Sequence, residues 1–297
     1  MRVEQPGPVT LRITLMGRNE SCVYLVDGKE EYAILGGGMT YIVPDLMTQI
    51  KAAGIDEKKI SRLIIHHSHF DHLGIVPYVK KRWPWIKISA SARAAELLSR
   101  KDVVASIASL NLMLLPDQGA ADLKESLGIQ TIEIDEILSQ GDEISCGDLG
   151  FKMIEVPGHS SCSMASYLFQ EKAMFASDAG GIPYGDHVFA AANSNFDDYQ
   201  ASLEKLAAYE TRVHLSEHYG ALTGEEGHRF ISRSIEAAAK MRELLETTYA
   251  RYQDEKKTVK ALVEIVSSQA SGYFLPKEVM AMVLCQMTRF IAKQYSA

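Results

Sequence analysis

Seven consecutive residues, His66-His67-Ser68-His69-Phe70-Asp71-His72, carry four imidazoles and a carboxylate. Folding alone gives no reason to gather such groups, because a buried imidazole or carboxylate is costly unless it is paired or bound to a cation. Nitrogen and oxygen donors of this kind suit iron, zinc or manganese, and no thiolate is present to favour zinc. A strand expected over residues 63–66 would deliver His67, His69, Asp71 and His72 into the loop and first helical turn beyond it. His67 and His69, two apart on an extended segment, can point the same way, whereas Asp71 and His72 lie past the bend and face a neighbouring point. That geometry suits two adjacent ions. Further donors must come from other strand ends, and three stand directly after predicted strands: His159 in Pro157-Gly158-His159-Ser160, Asp178 in Phe175-Ala176-Ser177-Asp178, and His218 in Ser216-Glu217-His218-Tyr219-Gly220.

The elements that must hold these residues fall into two β-then-α halves. Short β-type runs at residues 11–16, 22–26 and 32–35 are separated by Gly, Asn and Asp and read as an antiparallel meander. Helical spacing over residues 43–53, a strand at 63–66, a helix at about 73–82 and a strand at 86–90 follow, and residues 91–128 read as mostly helical. A second strand-rich section covers residues 151–156, 165–169 and 172–175, then a helix at 197–209 and a strand at 212–215. This order predicts a sheet-on-sheet core with helices on its outer faces. After residue 222 the pattern is helical only. Thr223-Gly224-Glu225-Glu226 is a capping-box signal, and two more helices are expected at 256–268 and, opened by Pro276, at 277–294. The apolar stripe of the last helix, with Met280 and Met287, reads as core.

Composition narrows the function. A chain of 297 residues with 46% hydrophobic content buries a substantial core, and a net charge of −7 leaves no electrostatic footprint for nucleic acid or an anionic membrane. No stretch reaches the ~18 apolar residues of a membrane span, and the N-terminus lacks the apolar segment of a leader, so a cytoplasmic protein is expected. Cys22, Cys146, Cys162 and Cys285 are scattered without a C-x-x-C pair and read as buried free thiols. There is no Gly-x-Ser-x-Gly elbow and no phosphate-cradling loop, and Gly36-Gly37-Gly38 lacks dinucleotide-loop spacing.

The donors in the order His67-x-His69-x-Asp71-His72, His159, Asp178, His218 resemble the ligand set of the metallo-β-lactamase superfamily over about residues 10–222. The resemblance implies an α/β fold, the αββα sandwich, over residues 1–222, with a helical C-terminal extension at 223–297. It implies two divalent metal ions (Fe, Zn or Mn), the first held by His67, His69 and His159 and the second by Asp71, His72 and His218, with Asp178 bridging. A metal-bridging hydroxide would then hydrolyse a thioester or ester, with Asp71 able to pass a proton to the leaving group. One departure is plain. Where the superfamily has an acid in an Asp-x-Gly pattern, this chain runs Leu35-Gly36-Gly37-Gly38, so support of the ligands must come from elsewhere.

Within the superfamily the chain is similar to the thioesterases of the quinolone-signal response, through the Gly-Gly run, Gly158-His159-Ser160, Asp178-Ala179, Phe196-Asp197-Asp198, Ser202-Leu203-Glu204 and Phe274-Leu275-Pro276-Lys277-Glu278. That points to a small-molecule acyl substrate of acyl-coenzyme A type. Tyr184, His187 and Phe189, in a loop after Asp178, and Tyr219, beside a ligand, are candidates to contact it. His66, His214 and His228 read as packing or surface residues. The helical tail is expected to cover the mouth of the site and to contribute to a homodimer. The residues also admit two other readings: a di-iron redox enzyme of flavodiiron type, a family that carries glutamate at the place of His69, and a regulatory or interaction protein with a vestigial metal site.

Overall fold

The protein, a computed structural model, is described for residues 1–116, 120–269 and 276–295. Contacts divide it into two compact units, one of Met1–Glu155, Cys162–Ser177 and Thr211–His228, the other of Val156–Ser161, Asp178–Glu210 and Arg229–Ala297.

The first unit holds two seven-stranded sheets. One runs β2 (Gly7–Pro8), β3 (Ile13–Arg18), β4 (Ser21–Asp27), β5 (Tyr32–Leu35), β6 (Ile60–Ile64), β7 (Lys87–Ser91) and β8 (Glu136–Leu138) in chain order. Its first half is antiparallel, and from β5 onward its neighbours are parallel. Parallel neighbours require crossovers, which are supplied by α1 (Val43–Ala52), α2 (Val76–Arg82) and the group α3 (Ala92–Leu98), α4 (Lys101–Met113) and α5 (Ala121–Ser126). The other sheet has the order β1-β16-β15-β12-β11-β10-β9, with β1 at Arg2–Val3, β9 at Glu143–Cys146, β10 at Leu149–Glu155, β11 at Met164–Leu168, β12 at Ala173–Phe175, β15 at Val213–Leu215 and β16 at Ala221–Thr223.

Alternation along the strands sorts the core into two layers, as a side-chain period of two requires. On β4, Cys22, Tyr24 and Val26 join Phe151, Met153, Phe175 and Leu215 of the other sheet in one apolar cluster. Val23 and Leu25 point the other way, onto the cluster that holds Leu46 and Ile50 of α1 and Val76 and Val79 of α2. The two-halves reading therefore holds, and the missed elements are the short ones. β8 and β9 are three and four residues long and mix glutamate with isoleucine, so they carry no readable period.

The second unit is built from α6 (Phe196–Ala207), the body of α7 (Glu225–Tyr252), α8 (Glu255–Gln269), α9 (Lys277–Tyr295) and a hairpin of β13 (Ile182–Tyr184) and β14 (His187–Phe189). Phe196, Tyr199 and Leu203 of α6 pack with Ala238, Leu245, Leu262, Met280, Leu284, Met287 and Ile291, so the methionine stripe of α9 is core as expected. Phe274 and Leu275 lie outside the described residues. No helix among the described residues is long and apolar enough to cross a membrane.

His214 on β15 is fully buried, and burial pushes its pKa down from 6.5 to about 3. The unfolded chain therefore binds a proton near pH 6.5 that the folded chain refuses until about pH 3. Stability is complete above pH 6.5 and falls as pH drops below it, by roughly 2 kcal/mol at pH 5 for this group. His214→Leu is expected to flatten that slope, which urea unfolding at pH 7 and pH 5 will measure; equal slopes in the two proteins would contradict it.

Candidate metal centre

The histidine run lies where the chain leaves one sheet for the other. β6 ends at Ile64, two residues earlier than its sequence suggests, because Ile65 N–H still bonds Ser89 O beside β7 (2.9 Å) while His66 O accepts from Met164 N–H at the start of β11 (2.8 Å). His66 is buried, with Nε2 2.7 Å from Ser166 Oγ, and burial lowers its pKa to about 4; it is a packing residue at the sheet junction. His67 and His69 follow with ring centroids 4.7 Å apart, His69 on extended backbone, and a 3-10 turn at Phe70–His72 places Asp71 and His72. α2 begins only at Val76, with proline in its first turn. The turn is clamped from beside β5, since Gly38 O and Gly37 O accept from Gly74 N–H (2.7 Å) and Ile75 N–H (3.0 Å).

His218 reaches this cluster from the end of β15. Tyr24 donates to Ser216 O (2.7 Å), Cys22 N–H to Glu217 O (2.7 Å) and Tyr219 N–H to Asn19 O (2.6 Å), so the turn between β3 and β4 carries the 216–219 segment. Tyr219 and Gly220 adopt φ of +61° and +81° to make the bend. His218 Nδ1 stands 2.7 Å from Glu20 O, a carbonyl that can only accept, so the proton sits on Nδ1 and Nε2 keeps its lone pair. His72 Nδ1 lies 2.8 Å from Glu217 Oε2, a charge contact outside hydrogen-bond geometry.

The two Nε2 atoms then face each other at 3.3 Å, each 3.6 Å from Asp71 Oδ2. His72, His218 and Glu217 are each 1% exposed and Asp71 8%. Two ring nitrogens and a carboxylate converging away from water are costly unless a cation lies among them, so the donor set fits a divalent ion. The donor atoms of Asp71, His72 and His218 lie within 4.8 Å of one another, as do those of His67, His72 and Glu217.

In the second unit His159 and Asp178 lie together. His159 Nδ1 is 2.7 Å from Ala191 O, which turns Nε2 toward Asp178 Oδ2 at 3.6 Å. Both residues are buried, and Asp178 is the second residue of a 3-10 turn over Ser177–Gly180 whose first residue has a φ of +48°. The loop carrying His159 is tied to the start of α6: Ser194 and Asn195 N–H donate to Gly158 O (3.0 and 3.1 Å), Ser202 Oγ donates to Pro157 O (2.7 Å), and Asn195 caps the helix through Asp197 and Asp198 N–H. Tyr199 is buried here, and its pKa is raised by burial first and by the Asp178 charge second.

Of the residues expected to meet substrate, Tyr184 and His187 pair across the β13–β14 hairpin, not in an irregular loop; His187 is exposed, while Phe189 packs against the helical core. Tyr219 is 8% exposed. His228 Nδ1 is 3.2 Å from Thr211 O, a helix-end contact. Glu217 and Ser177 were not among the residues expected at the site. Their only signal was a second acid beside His218 and a hydroxyl beside Asp178.

The profile of the metallo-beta-lactamase superfamily matches residues 16–218. The acyl-coenzyme A thioesterase MBLAC2 of Homo sapiens is 24% identical over 198 residues, 63% of this chain and 67% of that protein. Its Gallus gallus counterpart is 23% identical over 232 residues, 74% and 80% of the two chains. Among solved structures, a metallo-beta-lactamase family protein from Thermus thermophilus superposes with a TM-score of 0.64 at 17% identity, covering 98% of this chain and 93% of that one, a likeness of fold. With its αββα sandwich, its helical C-terminal region and its cluster of imidazole and carboxylate donors, this chain belongs to the metallo-beta-lactamase superfamily of hydrolases.

Proposed function

We propose that the protein is a dinuclear metal-dependent thioesterase acting on an acyl-coenzyme A-like substrate. In this reading His67, His69 and His159 hold one ion, Asp71, His72 and His218 the other, and Asp178 is shared. Bound ions of iron, zinc or manganese would supply Lewis acidity, lowering the pKa of water toward neutrality and polarising the acyl carbonyl. The observation that carries the reading is the facing of His72 and His218 Nε2 at 3.3 Å, with His218 Nδ1 held by Glu20 O and His72 Nδ1 in charge contact with Glu217.

The chain's own residues have distinct parts. Glu20 O and Ala191 O fix the tautomers of His218 and His159, so no reorganisation is needed when the donors engage. Asp71, beside both Nε2 atoms, is placed to hand a proton to the leaving group, a small task when that group is a thiolate. Tyr184, His187, Phe189 and Tyr219 are assigned to the acyl group. A thioester is preferred to other esters because the thioesterases named above are similar over most of the chain. The same reading has the protein working in the cytoplasm as a homodimer, with its helical tail over the site.

Elemental analysis of purified protein should find about two metal equivalents per chain, and a panel of acyl-coenzyme A compounds should release free thiol only while metal is present. Folded protein that hydrolyses the panel with no metal bound would overturn the proposal.

A further inference from the structure

The Glu217 side chain is 1% exposed, and its carboxylate is surrounded by groups of the metal cluster. Oε2 stands 2.8 Å from His72 Nδ1 and accepts from the Ser177 hydroxyl. Ser177 Oγ is in turn 3.3 Å from His67 Nδ1. Oε1 accepts from Gly37 N–H at 3.2 Å. A Cβ on Gly36 would lie 2.5 Å from Oε1 and 2.9 Å from Cδ of Glu217, so the carboxylate occupies the volume that a side chain at the end of β5 would fill. Gly36 has φ +88°, a conformation suited to glycine. Residue 36 is therefore bare because an acid from the segment after β15 sits against it.

We propose that Glu217 is the positioning residue of the metal centre, orienting His72 directly and His67 through Ser177, and that the glycine at 36 exists to admit it. It meets the nitrogen of His72 that turns away from Asp71 and His218, so it acts on the ring's orientation and basicity, not as a further donor to that triad. The carboxylate oxygens accept from the Ser177 hydroxyl and Gly37 N–H and keep a charge contact with His72 Nδ1. Glutamine at this place offers one acceptor oxygen and brings two new protons of its own.

This inference rests on the dinuclear reading, and zinc affinity separates the two. Metal-free wild type and Glu217→Gln are titrated with zinc against a chromophoric chelator, and the melting of both metal-free proteins is recorded alongside. The expected result is a loss of about 10- to 100-fold in zinc affinity, larger than any change in metal-free melting accounts for. Unchanged affinity, whatever the metal-free melting does, overturns the positioning role and leaves the metal reading standing; a wild type that takes up no zinc overturns both. Should Glu217→Gln fail to fold, Ser177→Ala removes only the link to His67 and is expected to weaken zinc binding by about five-fold. Unchanged affinity there counts against the role in the same way.

Discussion

His218→Ala is expected to lower kcat/KM for thioester hydrolysis on the order of 10³-fold, equivalent to about 4 kcal/mol of transition-state stabilisation, and to reduce the bound metal from about two equivalents per chain toward one. His218 Nε2 is 3.3 Å from His72 Nε2 and 3.6 Å from Asp71 Oδ2, so truncation removes one of that ion's three unshared donors and leaves Asp71, His72 and the shared Asp178. The lost side chain is buried, and the cavity destabilises the fold by a further amount of about 1–3 kcal/mol. The two effects separate by measuring metal content and thiol release well below the melting temperature. His228→Ala, which removes only a contact to Thr211 O, should leave both unchanged. A His218→Ala protein that keeps its full metal content and its rate would refute the ligand assignment.

Gly158→Ala is expected to be the most damaging small substitution in the second unit. A Cβ there would meet Tyr199 N at 2.1 Å and Tyr199 Cα at 2.3 Å, and these are backbone atoms of α6 that cannot swing aside. The φ of +123° adds backbone strain of about 1–3 kcal/mol for any residue with a Cβ, and overpacking costs about 1–3 kcal/mol more. A summed loss of roughly 3–5 kcal/mol should lower the melting temperature by about 10 °C or more. Because His159 is the next residue, relief of the clash displaces an imidazole held by Ala191 O, and activity should fall further than the unfolded fraction explains. Gly54→Ala is the control: its φ is also positive, at +66°, but nothing lies within 4 Å of the added atom. Similar melting curves for the two variants would show that the loop yields easily.

The donors themselves were readable from the primary structure because each carries its signal locally. Four histidines and an aspartate within seven residues need no tertiary information to stand out, and Asp178 and His218 each follow a run that forms a strand. The main elements were readable for the same reason: the alternation on β4 and the helical spacing on α7 and α9 are repeated often enough to be seen. Short or mixed segments were not. The hairpin of β13 and β14 has three residues per strand, and the 3-10 turn at Phe70–His72 lies before the helix expected from about residue 73, which itself begins only at Val76. The missing acid at Leu35-Gly36-Gly37-Gly38 was legible as an absence, but its replacement was not, since Glu217 lies 180 residues from the Gly37 N–H it accepts.

What residue order alone determined here is the inventory of nitrogen and oxygen donors and their attachment to strand ends, because both follow from residue type and local periodicity. Tertiary structure decided which face of each ring is offered. That choice is made by Glu20 O on His218, by Ala191 O on His159 and by the Glu217 carboxylate on His72. These acceptors act through hydrogen bonds and charge contacts between segments as much as 198 residues apart. A proton settles on one ring nitrogen only when an acceptor is brought against it, and no pattern within a single segment records that meeting.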